Sequence, residues 1–221
     1  SAGLYALRRE VLDLVTHTPC SIETEVFPGL AARGVLAGVE SDGYFIDIGL
    51  PETLAEARAE FAARMRRPAV LFDRDGTLNV DNGYTHKPED LRWQPGAIEA
   101  IRATNDAGAF AIVVTNQSGV ARGYYTEADV ARFHAHMQAE LAKSGAHIDA
   151  FYHCPHHGEG VLPAFTHADH PDRKPNPGML RRALTEWPVD PARCFVVGDT
   201  ELDVQAAAAV GLKSSRVAPG E

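Results

Sequence analysis

From Ala69 onward, short apolar runs alternate with amphipathic segments, and the runs stop abruptly at polar residues. Strands are expected over 69–73, 109–115, 148–152, 194–198 and 212–217, with helices over about 95–107, 127–143, 178–187 and 201–210. Such alternation builds an α/β fold with a parallel, doubly wound sheet, whose site lies at the carboxyl ends of the strands. The helix over 127–143 is well marked. Thr126 and Asp129 form a capping box, and Val130, Phe133, Met137 and Leu141 make one apolar face. His134 and His136 read as partly exposed surface residues.

What ends the runs carries the chemistry. AVLFDRDGT places Asp73 and Asp75 on a tight turn after a buried strand. FAIVVTNQSG ends in Thr115 and Asn116, Lys174 stands between Arg173 and Pro175, and CFVVGDTELD ends in Asp199. A phosphate monoester repels nucleophiles, so an enzyme that attacks one needs a metal and cationic or N–H donors. Carboxylates are the hard ligands that Mg²⁺ takes one or two at a time, and Asp73 and Asp199 fit that role. A calcium loop is excluded, because its twelfth position, which needs a bidentate Glu, is Tyr84. Alone, Asp199 would read as a helix cap and Lys174 as a surface lysine; their joint occurrence in this order argues for a site.

This order resembles the haloacid dehalogenase (HAD) superfamily of phosphotransferases. The resemblance implies that Asp73 is the nucleophile forming an aspartyl-phosphate. It makes Asp75 the general acid and base, with its carbonyl offered to the metal. Thr115 and Lys174 would hold the phosphoryl oxygens, and Asp203, one turn after Asp199, would orient the metal shell. LFDRDGTLNVDNGYTHKPEDLRWQPGAIEAI, TNQSGVARGYY and RKPNPGM narrow the resemblance to the heptose 1,7-bisphosphate phosphatase group, which includes histidinol-phosphate phosphatases and lacks a large cap domain. It covers residues 69 to about 211. By position, Asp81, Asn82, Gly83 and Tyr84 form one substrate loop and Thr115, Asn116, Gln117 and Ser118 another. Arg122, Arg173 and Lys174 supply cationic contacts, Arg through its planar fork; a solvated loop charge is the other reading of Arg122.

Two departures from the group stand out. Where the family often has a Lys after its last Asp, this chain has Thr200. The family's structural zinc loop keeps its start as Cys154, Pro155 and His156, but His170 and Asp172 replace the two later cysteines. Cys, His and Asp all bind Zn²⁺, so the loop reads either as a Cys154, His156, His170, Asp172 tetrahedron or as a metal-free replacement.

At 221 residues and 45% hydrophobic, the chain can bury one core and a smaller appendage. A formal net charge of −9 argues against nucleic acid or an anionic membrane as partner. No apolar run approaches the roughly 20 residues of a membrane span, and no signal-peptide pattern opens the chain. Three cysteines do not make a disulfide framework, which suits the cytoplasm. The chain begins inside a periodic segment and reads as a fragment.

Residues 1–66 are a separate part, a small α/β appendage bounded by Pro68, with 67–221 as the phosphatase domain. GLYALRREVLDLV, SIETEVFPGLAARG and GYFIDIGLPETLAEARAEF resemble the carboxyl-terminal stretch of sugar-1-phosphate nucleotidyltransferases, with Leu50 where their DIGTP-like motif has Thr. In a complete enzyme Glu23 and Asp47 would face the sugar or metal. Here the nucleotide loop is missing, so the part reads as a structural or oligomerising appendage, in a homodimer or beside a nucleotidyltransferase domain. The whole implies a Mg²⁺-dependent phosphatase for a small phosphorylated sugar, first the 7-phosphate of a heptose 1,7-bisphosphate. Histidinol phosphate as substrate and a non-catalytic scaffold are the alternatives.

Overall fold

The structure, a computed structural model, describes residues 4–40 and 43–218. The chain divides into two units, residues 1–59 and 60–221. The division falls inside helix α2 (Pro51–Arg64), upstream of Pro68.

The first unit holds a 3₁₀ turn at Arg9–Leu14, a π turn at Ile22–Val26, helix α1 (Phe27–Ala32) and the start of α2. Among its described residues there is no strand, which corrects the expectation of an α/β appendage. Among the described residues, the apolar stretch Tyr44–Ile48 is not part of a strand. Val26, Leu30 and Ala57 are buried here, while Leu4, Leu12, Val39 and Phe45 are exposed.

The second unit is built on a five-stranded parallel sheet in the order β3-β2-β1-β4-β5. Its strands are β1 (Ala69–Phe72), β2 (Phe110–Asn116), β3 (Ala150–Cys154), β4 (Phe195–Gly198) and β5 (Lys213–Arg216). Helices α3 (Ala97–Asp106), α4 (Glu127–Ala142), α5 (Gly178–Glu186) and α6 (Glu201–Ala208) connect them. Alternate side chains of one strand leave opposite faces. Ile112 and Val114 of β2 therefore pack with Met179, Leu180 and Ala206 of α5 and α6, while Ala111 and Val113 pack with Ile101, Phe133 and Met137 of α3 and α4. Each large apolar side chain so buried contributes roughly 1.5–3 kcal/mol. Strand β3 begins two residues later than expected, because Asp149 accepts the N–H of Ala111 through its side chain and pairing starts at Ala150 opposite Ile112.

The capping box of α4 forms: Thr126 Oγ1 accepts from Asp129 N at 3.2 Å, and Asp129 Oδ2 accepts from Thr126 N at 2.8 Å. His134 departs from expectation, being only 7% exposed. It stacks on Phe151, with ring centroids 4.3 Å apart, and its Nε2 lies 3.3 Å from Arg74 Nη1.

Candidate active site

Strands β1, β2 and β4 are neighbours, so the residues ending them meet at one edge of the sheet. Asp73 follows β1, its N–H donating to Val197 O of β4 at 2.8 Å. Asp199 follows β4, and Thr115 and Asn116 close β2. Lys174 reaches in from the loop before α5. Its buried ammonium donates to Val114 O at 2.9 Å and Asp203 Oδ1 at 2.6 Å, and pairs with Asp73 Oδ1 at 2.8 Å, one acceptor for each of its three protons.

Burial dominates the electrostatics. It raises Asp73 to about 7, against the lowering effect of Lys174 and with the negative charge of Asp203 and Asp75 adding to the rise. Burial also raises Asp199, with the nearby Asp203 adding. The Lys174 ammonium is held above its ordinary value: burial works to lower it, and the Asp73 and Asp203 carboxylates outweigh that. Among the described residues, Asp73, Asp199 and Asp203 form a group of potential metal-ligating atoms within 4.8 Å of one another. Three hard, crowded oxygens at a buried edge fit a divalent cation such as Mg²⁺. Gly76 permits this approach: at φ +84° a Cβ there would lie 2.2 Å from Asp199 Oδ2.

Asp203 was expected to orient the metal shell. It lies within 4.8 Å of the Asp73 and Asp199 oxygens, and its own oxygens also serve Lys174 and the helix cap, Oδ2 accepting from Thr200 Oγ1 at 2.6 Å. Thr200, standing where the family often has Lys, is thus the N-cap of α6.

Asp75 receives five contacts from four nitrogens. Arg74 Nε and Nη2 reach Oδ1 at 3.1 and 2.9 Å, and Nη2 also reaches Oδ2 at 2.7 Å. Asn79 Nδ2 donates to Oδ1 at 3.0 Å and Gln117 Nε2 to Oδ2 at 2.8 Å. Gln117 was expected to touch substrate, yet it is 1% exposed and its amide is spent on Asp75, on Thr115 Oγ1 at 2.9 Å, and on the Tyr125 hydroxyl, which donates to Oε1 at 2.7 Å. Asn116 likewise holds the backbone of Lys174.

The other expected substrate residues lie in loops. Asp81 Oδ1 accepts from Gly83 N at 2.8 Å, Asn82 N donates to Thr85 Oγ1 at 3.0 Å, and the exposed Tyr84, at φ +60°, packs edge-on against Tyr124 at 4.8 Å. Ser118 is half-buried and accepts the N–H of Arg122. Arg122 pairs with Glu159 at 2.9 Å, and its buried Nε has no partner. Arg173 donates to His156 O at 3.2 Å.

The four residues expected to hold zinc are near one another without forming a tetrahedron. His156 lies flat on His170 with centroids 3.8 Å apart, His170 Nδ1 accepts from Asp172 N at 3.1 Å, and Asp172 Oδ2 pairs with Arg182 at 3.2 Å. Cys154 Sγ stands 3.8 Å from His170 Nδ1. A cleft of about 740 Å³ runs past these residues, lined also by Tyr152, His153 and Glu186; it contains none of the strand-end carboxylates, so its size does not make it the site.

The sequence reading missed Arg74, Asn79 and Tyr125. An arginine between two strand-end aspartates was itself the signal, since a buried guanidinium beside Asp75 must pair with a carboxylate.

Residues 172–221 match the HAD-hydrolase-like family model. The chain is 48% identical over 156 residues to the D-glycero-beta-D-manno-heptose-1,7-bisphosphate 7-phosphatase of Rhodopseudomonas palustris, covering 70% of this chain and 86% of that protein. A HAD-like phosphatase from Mesorhizobium loti superposes with a TM-score of 0.64 at 41% identity, over 66% of this chain and 70% of that one. The D,D-heptose 1,7-bisphosphate phosphatase from B. bronchiseptica, solved with magnesium and phosphate, gives 0.58 at 34% identity, over 67% and 78%.

Proposed function

The chain belongs to the HAD-type D-glycero-beta-D-manno-heptose-1,7-bisphosphate 7-phosphatase family, and on that premise we propose that it hydrolyses the 7-phosphate of a heptose 1,7-bisphosphate through an aspartyl-phosphate. The observation that carries this reading is the convergence of Asp73, Asp199 and Lys174 at the ends of adjacent strands. An Asp73 oxygen attacks phosphorus as the bond to the sugar oxygen breaks, and Asp75 gives that oxygen its proton. A water then attacks the aspartyl-phosphate, Asp75 takes up the water's proton, and phosphate leaves Asp73 free. Asp73, Asp199 and the carbonyl of Asp75 would hold Mg²⁺, which would supply neutralisation of charge on the phosphoryl oxygens. Lys174 and Thr115 supply further donors, and Arg122 and Arg173 supply cationic contacts beside the loops of Asp81, Asn82, Gly83, Tyr84 and Ser118.

A phosphate-release screen over sugar phosphates, sugar bisphosphates and histidinol phosphate, with and without Mg²⁺, tests the reading. Heptose 1,7-bisphosphate with Mg²⁺ should give the highest kcat/KM; preference for histidinol phosphate would overturn the substrate.

Zinc in the histidine-rich loop is a second reading, favoured by the buried, unpartnered Nδ1 of His156 beside Cys154 and His170. About one zinc per chain in untagged protein, lost in a Cys154→Ser, His170→Ala double variant, is the expected result. For residues 1–66 we propose a nucleotidyltransferase-like appendage that binds no nucleoside triphosphate, serving in a homodimer or beside a nucleotidyltransferase domain; calorimetry with nucleotides tests it. The free cysteines Cys20, Cys154 and Cys194 support a cytoplasmic setting. Among the described residues, no helix is long and apolar enough to cross a membrane.

A further inference from the structure

Arg74 is fully buried, and an arginine is rarely found so unless every donor has work. Its guanidinium lies over the Phe133 ring, 4.7 Å from the centroid, which fixes its plane. In that plane Nη2 faces Asp75 with one edge and Thr85 O, at 2.6 Å, with the other. Nη1 stands 3.3 Å from His134 Nε2. One rigid group thus joins Asp75, the loop that carries Tyr84, and helix α4.

Asp75 is also gripped at Oδ2, from a second direction, by Gln117, whose amide is oriented by the Tyr125 hydroxyl. Tyr125 in turn sits against Gly119, where a Cβ would lie 2.1 Å from the ring, and stacks on His86 at 4.5 Å. His86 belongs to the same loop as Thr85. Both arms of the clamp therefore run from the Asp75 carboxylate to the segment 81–86.

We propose that Arg74 is a positioning residue: it holds the Asp75 carboxylate in register with the 81–86 loop, so that the proton donor meets the leaving oxygen of whatever substrate that loop receives. Gln117 is the second arm of the same device. The role rests on the phosphatase reading above, in which Asp75 passes its proton to the sugar oxygen as the bond from that oxygen to phosphorus breaks. A lysine cannot replace Arg74, since one ammonium does not present a planar edge to a carboxylate and a second edge to a carbonyl.

Leaving-group dependence tests this. Alcohol or phenol release is followed in a single turnover, for wild type, Arg74→Lys and Gln117→Leu, with heptose 1,7-bisphosphate and with p-nitrophenyl phosphate. An alkoxide needs the proton; p-nitrophenolate departs without it. Arg74→Lys should slow release of the sugar on the order of 10²-fold and release of p-nitrophenolate far less, with KM nearly unchanged. Gln117→Leu should show the same contrast more weakly, and it serves where Arg74→Lys does not fold. Equal losses on both substrates in folded variants, or a change in KM alone, would overturn the proposal. If wild type instead favours another alkyl phosphate, the same comparison runs with that compound, so a wrong substrate is distinguished from a wrong role for Arg74.

Discussion

Asn116 grips Lys174 by both ends of its amide: Oδ1 accepts from Lys174 N at 3.0 Å and Nδ2 donates to Lys174 O at 3.1 Å. The end of β2 thereby fixes the backbone from which the lysine reaches Asp73. Asn116→Leu should lower kcat on the order of 10–100-fold through misplacement of the ammonium, and cost about 1–3 kcal/mol of stability from unpaired backbone groups. Asn116→Asp, which keeps the acceptor, should lose less. Steady-state kinetics beside denaturant melts would separate the two effects; an unaltered kcat in Asn116→Leu would count against this role.

Asp73 and Asp75 should separate in rapid-quench labelling with a ³²P substrate. Asp73→Asn replaces the attacking carboxylate with a non-nucleophilic amide, so neither turnover nor protein-bound label is expected. Asp75→Asn should form label slowly and lose it slowly. Label retained on the Asp73→Asn protein would mean that another residue is the nucleophile.

Gly76 combines a left-handed backbone with contact to Asp199. Gly76→Ala should cost about 1–3 kcal/mol from the backbone alone and displace the Asp199 carboxylate. The Mg²⁺ concentration for half-maximal activity should rise in the variant. Activity that recovers at high Mg²⁺ points to the displaced ligand, whereas an unchanged Mg²⁺ dependence would show that Asp199 does not need this close approach.

His134 carries a pH dependence of known sign. Burial first, then the charge of Arg74, lowers it from 6.5 to about 2. Between those values the unfolded chain binds a proton that the folded chain does not. The stabilisation is complete above pH 6.5 and falls as pH drops below it, approaching about 1.4 kcal/mol per pH unit from this residue. His134→Gln keeps an acceptor for Arg74 and does not titrate, so its stability should decline less steeply between pH 6.5 and 5; parallel slopes in urea melts would contradict the assignment.

The sheet and the charged residues at its ends were legible because strand length, helix period and abrupt polar termination are local signals. Asp73, Asp75, Thr115, Lys174 and Asp199 were legible jointly, through their order and their places at the ends of apolar runs, since Asp199 alone reads as a helix cap and Lys174 alone as a surface lysine. The partners of those residues were not legible. Gln117 follows Thr115 and Asn116 at the end of β2, yet tertiary packing, and not its own sequence neighbours, turns its amide toward Asp75. His134 could have been found: it lies four residues after Val130, on the buried face of α4, and only its polarity argued for exposure. The Tyr44–Ile48 stretch has the composition of a strand, but strand formation depends on a neighbour that the sequence pattern does not name.

The place of β1 at the centre of the sheet, flanked by β2 and β4, separates the chemistry from the fragile margins. Edge strands lose their ladders at lower free-energy cost than central ones. Amide hydrogens of β5, whose Lys213 and Arg216 are exposed, should therefore exchange by local opening well before those of Leu71 and Val113. Because Asp73 follows β1 and Asp199 follows β4, local opening of β3 or β5 should begin away from these two carboxylates.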